Sequence, residues 1–505
     1  MLQELTGQVI SEKFRGRLLQ KWRLLIIVFT ISLFSVPKAL ANPDSPIQLR
    51  PELTDGIKSP ITLLGAVKLA QSAFPKLLHD RAEMEASQKR VTLQKIREYN
   101  PYSMLSYQDV AATHNRLTQT LFSSSVLPTT PGPGPENVRM GADAFSAAGF
   151  ILDWAPLDFG LHKAMIGKAK ADFQLSAATY QLSRLDVTVQ AALSFLDALI
   201  MREQVAVAQA NVKRFADFST VVHAQVDAGL QAGADASLAD AQLANANNEL
   251  IRAKLNDELA RAALGFAIGR GGDMVDIYPG GIIEVTEPRD DQVTAPDFSG
   301  HPLTVQSKAV ISTRMASKKI LDKEYYPKFR WLGGVNLRGT TFLTNRGDVP
   351  APDVSGFFPT VPNWNAGLVV DFPFLDIIRI KAEKKVVLKQ IEAAQHSYDL
   401  SMQSLKRDDV QARASVRAAV ALAKNMPVQV EAAALAARQA EARYQAGLAT
   451  VAQVAEANQI LADSRVKEAV ANVGVWKSLL SVANVHGDLQ PFLSAAERAT
   501  RRENK

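Results

Sequence analysis

The chain repeats itself. Leu152-Asp153-Trp154-Ala155-Pro156-Leu157-Asp158 is echoed 218 residues later by Val370-Asp371-Phe372-Pro373-Phe374-Leu375-Asp376. The same offset carries Tyr180, Leu182 and Ser183 onto Tyr398, Leu400 and Ser401, and Ala228-Gly229-Leu230 onto Ala446-Gly447-Leu448. A register held over about 80 residues marks a duplicated unit, and the fold has to place two copies of one plan.

Each copy has the same order of elements. An opening helix is expected at about Ile61–Tyr99 and again at about Leu303–Tyr325, each started near a proline (Pro60, Pro302) and ended before one (Pro101, Pro327). Next comes a hairpin of extended segments, 102–122 with 142–155 and 328–345 with 361–374. Phe329, Trp331, Gly333, Val335 and Leu337 alternate with Arg330, Leu332, Gly334, Asn336 and Arg338, so the third segment has one apolar and one more polar face. The connecting loops, Ser123–Gly141 and Arg346–Thr360, are rich in Pro, Gly, Ser and Thr. Long helix pairs follow. The first spans Gly160 to Tyr278 without a proline and breaks at Gly229 and Gly233; the second runs from about Ile377 to Val485, interrupted by Pro427 and turning at Gly447.

The N-terminus reads as an export signal over residues 1–41. Arg15, Arg17, Lys21 and Arg23 precede an apolar run from Leu24 to Phe34, and Ala39-Leu40-Ala41 is an A-x-A cleavage site. The run is about half of the roughly 20 apolar residues that a spanning helix needs. The remaining chain divides into a first structural repeat at 42–299, a second at 300–490 and a C-terminal tail at 491–505. The net charge of +6 carries little weight, because the leader holds six Lys/Arg against Glu4 and Glu12, and no basic tract argues for nucleic acid. With no cysteine there is no disulfide, thiol nucleophile or lipidated cysteine.

Geometry narrows the function. The alternating segments have the length of strands that cross an outer membrane, about 9–11 tilted residues, but four strands cannot close a barrel when the smallest have about eight. Oligomerisation is therefore required. Asp158 to Gly229 and Asp376 to Gly447 are both 71 residues, and at about 1.5 Å per residue each leg reaches roughly 100 Å. The glycine turns would then lie at the end of the helices farthest from the strands.

The residues at this point resemble the TolC-type outer-membrane efflux protein family over about residues 58–490. The matching features are Ala66-Val67 and Ala70 followed by Phe74-Pro75, Pro327-Lys328-Phe329 at a strand start, and Trp154-x-x-Leu157-Asp158-x-Gly160. Arg443-Tyr444-Gln445-Ala446-Gly447-Leu448 with Ala457-Asn458 completes the pattern. The resemblance implies a mixed α and β membrane protein, a homotrimer whose four strands per chain close a 12-stranded transmembrane β-barrel continued by a long periplasmic α-helical barrel. It implies a passive duct in the outer membrane of a tripartite efflux or type I secretion system, embedded in outer-membrane lipid. Its partners would be a periplasmic adaptor protein and an inner-membrane transporter, and it would need no cofactor.

Carried over residue by residue, the resemblance places the entrance aperture at the helix turns. The two aperture acids of the second turn fall on Gln453 and Glu456, and the tyrosine before the second glycine is Tyr444. In the first copy the corresponding acid is Asp240 if Ala241 aligns with Ala457, which leaves two extra residues in the first turn; Asp235 lies six residues after Gly229. An arginine sometimes found two residues after the second glycine is Ala449 here. The alternative is that Asp235, Asp240 and Glu456 are solvated residues near helix turns, where acids are common. Gly229, Leu230, Gly447 and Leu448 are the expected adaptor contacts.

Other chemistry is sparse. The seven histidines show no metal-ligand spacing, and no nucleophile elbow or phosphate loop occurs. Gly265, Gly269, Gly271 and Gly272 read as a helix C-terminus, and Lys381, Lys384 and Lys385 as a solvated face. The rival class is a periplasmic coiled-coil adaptor, which needs one helical hairpin flanked by compact β domains; an enzyme is not expected.

Overall fold

The computed structural model describes residues 60–113, 142–283, 297–340 and 357–503. The expected export signal at 1–41 and the loop Ser123–Gly141 lie outside these residues, as does most of Arg346–Thr360.

The first opening segment is two helices, α1 (Leu63–Ala73) and α2 (Pro75–Tyr99), where the sequence predicts one. Thr62 caps α1, its Oγ1 accepting the Gly65 N–H at 3.2 Å. The break is Pro75, which drives the preceding Phe74 into extended backbone (φ −66°, ψ 122°) and then serves as the first residue of α2. The second opening helix, α5 (Pro302–Glu324), starts at its proline and is continuous.

Strands β1 (Tyr102–Thr113), β2 (Ala142–Leu157), β3 (Lys328–Thr340) and β4 (Val361–Asp371) form one antiparallel sheet in that order. The two hairpins therefore join through β2 and β3, with Trp154 opposite Trp331 and a bulge between Trp154 and Leu157. One face carries Leu105, Phe150, Leu152, Trp154, Trp331, Val335, Trp364 and Leu368, all exposed. The opposite face holds Asn336, Asn363, Asn365 and Arg330, whose guanidinium lies 3.0 Å from Asp153 and 3.3 Å from Asp371.

The long pairs are α3 (Leu161–Asp227) with α4 (Gly233–Ala267), and α6 (Ile377–Gln445) with α7 (Val451–His486). Asp158 starts α3, its carboxylate accepting the N–H groups of Gly160 at 3.0 Å and of His162. Pro427 does not interrupt α6: the helix runs through it, and the cost of its missing N–H is absorbed within a 69-residue helix packed along α7. Lys384 is not simply solvated, because it reaches Asp322 of α5 at 2.5 Å.

The 218-residue register extends past the turns. Gly269 (φ +81°) follows the end of α4 and Gly487 (φ +74°) the end of α7, both in the left-handed region that suits glycine. A Cβ on Gly269 would lie 2.9 Å from the Ala73 backbone, and one on Gly487 2.8 Å from His301. Each copy thus closes its second helix against its own opening segment.

The segment expected as a tail is helix α8 (Gln490–Glu503), with Phe492, Ala496 and Ala499 buried. Phe492 meets Trp476 edge to face at 6.1 Å, and α8 lies in the main apolar core with Leu63, Phe195, Leu199 and Ile282. The apolar spacing Phe492, Ala496, Ala499 is helical and needs a partner; α1, α7 and the 280–283 turn supply it.

Candidate functional site

The two helix turns are built alike. At the first, the Gly229 N–H donates to Val226 O (2.9 Å) and the Leu230 N–H to Gln225 O (2.8 Å); at the second, Gly447 donates to Tyr444 O (2.9 Å) and Leu448 to Arg443 O (2.8 Å). Both glycines have positive φ (74° and 73°), so each turn is a Schellman motif that only glycine enters without strain. The pattern leaves Leu230 and Leu448 projecting into solvent, 74% and 68% exposed.

The next helix starts four residues after each glycine, at Gly233 and at Val451. The turns are therefore equal in length, and the two extra residues expected in the first disappear. The correct equivalence keeps the 218-residue offset: Asp235 matches Gln453, and Asp240 matches Asn458. Pairing Ala241 with Ala457 slips that register by two residues, which helix continuity forbids.

Behind the turns the two pairs meet in an apolar plug of Phe218 and Val222 from α3, Ala236 and Ala239 from α4, Tyr444 from α6, and Val451 and Val454 from α7. Tyr444 is its centre, 1% exposed, with its ring 5.1 Å from Phe218 edge to face. Its hydroxyl has no hydrogen-bond partner. Burial, together with the negative charge of Asp235, holds the phenol above the usual tyrosine range.

The other candidates have separate tasks. Gln453 completes a capping box: Thr450 Oγ1 accepts its N–H, and its Oε1 accepts the Thr450 N–H at 3.1 Å. Asp235 stands at the same position of α4, where an acid complements the helix N-terminus, but Ala232 provides no side-chain cap there. Asp240 is exposed yet engaged, accepting from Ser219 Oγ at 3.0 Å and lying 2.9 Å from His223 Nε2. The His223 bond, then the Ser219 bond, holds its carboxyl below the usual carboxylate range. Glu456 is exposed on α7. Asp235 and Tyr444 are thus brought together, Asp240 ties α3 to α4, and Glu456 stands apart from the plug.

Sequence reading missed Phe218, Ser219 and His223. The i, i+4 spacing of Ser219 and His223 places both on the α3 face toward Asp240, a signal visible only once the turn length is known. Among the described residues no group of three or more His, Asp or Glu side chains could hold a metal ion, and no helix is long and apolar enough to cross a membrane.

The profile of the outer membrane efflux protein family matches residues 146–270 and 305–487, more than half of the chain. The chain belongs to this family. No curated protein sequence matches it. The fold of this efflux protein is shared with solved structures of low identity. The Campylobacter jejuni CmeC outer membrane channel is 14% identical with a TM-score of 0.68, over 87% of this chain and 89% of that one. The outer membrane protein VceC of Vibrio cholerae is 15% identical with a TM-score of 0.65, over 84% and 96%. The open state of the Neisseria gonorrhoeae MtrE outer membrane channel is 16% identical with a TM-score of 0.64, over 84% and 89%. Among its described residues the efflux protein has two long helix pairs and a single sheet, not the one hairpin between compact β domains expected of an adaptor.

Proposed function

We propose that three copies of this chain form the outer-membrane duct of a tripartite efflux or type I secretion system. The observation that carries the reading is the sheet: four strands with one exposed apolar face and two outer strands, β1 and β4, that pair on one side only. An apolar face of this width exposed to water is costly, and a sheet edge with free backbone groups seeks a strand. Pairing β1 of one copy with β4 of the next satisfies both edges and closes 12 strands around a polar interior, with the apolar face in lipid. Helices α3 and α6, each about 100 Å long, then extend into the periplasm with α4 and α7 packed along them. Cargo moves passively, delivered by an inner-membrane transporter.

At the far end, Tyr444 in the plug holds the two pairs of one protomer together, Asp235 lies beside it, and Glu456 lines the entrance with Asp240 near it. Leu230 and Leu448 are the contacts for the tips of a periplasmic adaptor. The native chain has no cysteine, so cysteines placed singly along β1 and β4 report on the assembly without background. Paired β1 and β4 cysteines are expected to crosslink into covalent trimers that form discrete pores in a planar bilayer, with cation selectivity lowered by Glu456→Gln. Monomers only, with no conductance, would sink the duct reading; pores unaffected by Glu456→Gln would remove Glu456 from the entrance.

A further inference from the structure

Directly below the sheet the two copies share a second motif. Arg97-Glu98-Tyr99-Asn100-Pro101 follows the course of α2 out of its last turn, and Lys323-Glu324-Tyr325-Tyr326-Pro327 does the same for α5. The glutamates brace the junction: Glu98 lies 3.4 Å from His162 at the start of α3, and Glu324 3.6 Å from Arg379 at the start of α6. The cations before them have no such task. Neither Arg97 nor Lys323 has a carboxylate partner among the described residues.

Lys323 instead lies over the Tyr326 ring, its Nζ 5.2 Å from the centroid. Tyr326 stacks on Tyr325 at 4.4 Å and on Phe159 at 5.5 Å, and Phe159 lies 6.1 Å from Phe329. Phe329 has the strand parity of Trp331, so this cluster continues the apolar face of the sheet downward. Phe159 also adopts a positive φ of 52°, the one such non-glycine residue among those described. A bulky residue is rarely held there without a reason, and the conformation places its ring in the cluster. A cation in the last helical turn complements the helix dipole, but that does not account for the stacked rings or for Phe159.

We propose that Lys323, Tyr325, Tyr326 and Phe159 form a headgroup site for an anionic phospholipid of the periplasmic leaflet, with Arg97 as the cation at the repeated position. The inference rests on the sheet being a lipid-facing barrel wall. The phosphate meets the Lys323 ammonium, the aromatic rings lie at headgroup depth, and the acyl chains run up the face past Phe329 and Trp331. Aromatic rings favour the membrane interface, and lysine extends its stem along apolar surface while its charge stays at the headgroups. Three copies would provide six such cations around the base of the barrel.

The test uses the full chain in phosphatidylcholine nanodiscs doped with phosphatidylglycerol, reading how strongly phosphatidylglycerol is retained by the protein. Wild type is expected to enrich phosphatidylglycerol over phosphatidylcholine. Lys323→Gln should lower that preference about fivefold and Arg97→Gln/Lys323→Gln further, with Lys467→Gln on α7 as an unchanged charge control. Equal retention in wild type and the double variant overturns the proposal, as does displacement by inorganic phosphate, which would mean a free-anion site. Planar-bilayer recording of the same preparations separates the two readings. Pores without phosphatidylglycerol preference overturn the headgroup site alone, whereas failure to insert or conduct overturns the duct and this site with it.

Discussion

Tyr444 shows how one side chain can join parts of the chain that are far apart in sequence. Its ring fills the plug between the two helix pairs, while its hydroxyl is buried without a partner, a group that costs free energy to desolvate. Tyr444→Phe should therefore leave stability unchanged or raise it. Tyr444→Ala should cost about 3–5 kcal/mol through the cavity it leaves. Hydrogen exchange across residues 440–456 checks both, and equal protection in the Ala variant would contradict the plug. Asp409 of α6 argues a pH dependence at the same scale. Burial pushes its carboxyl up, but hydrogen bonds from Arg413 and from His486 of α7, both at 2.9 Å, outweigh that and hold it below the usual carboxylate range. A depressed folded-state value means stability that is present above the unfolded value near pH 4 and is lost as pH falls through the folded value. Asp409→Asn should accordingly lower Tm at pH 7, with the difference from wild type vanishing as the pH drops below about 4. A difference that persists in acid would place the effect in packing instead.

At the scale of elements, the repeat is carried by residues that act locally. Glycine after the last helical turn, proline in the first and alternation along a strand are all readable from spacing, because the groups they satisfy lie within a few residues. Gly229, Gly447 and the strand from Lys328 follow that logic. Pro427 and Phe74-Pro75 do not, since whether a proline ends a helix depends on what packs against its neighbours. In α6 the partner helix α7 carries the chain through, and exposed Pro427 leaves one carbonyl without its N–H donor. Pro427→Ala should stabilise this stretch by up to about 3 kcal/mol, read as slower amide exchange over residues 420–430. Unchanged exchange would show that the helix carries no penalty there.

At the scale of the described chain, α8 links distant stretches: the start of α1, the 280–283 turn and the end of α7 all bury against Phe492, Ala496 and Ala499. Gly281 permits the closest approach, since a Cβ there would fall 2.5 Å from Ala499 O. Ending the chain after Leu489 should lower Tm and open residues 268–283 to protease while leaving the helix turns intact; an unchanged Tm would make α8 dispensable. The sequence by itself determined the duplication, the order of elements, the four strands and the glycine turns, because repeats, periodicity and turn chemistry are properties of near neighbours. It also carried the family through motif order. Only the tertiary structure decided that the hairpins join through β2 and β3, that both turns have equal length, that 490–503 is a core helix, and that Asp240 is tied to His223 while Asp235 lies by Tyr444. Those outcomes depend on contacts between residues up to hundreds of positions apart, whose partners are chosen by packing and charge in three dimensions and leave no fixed spacing in the chain.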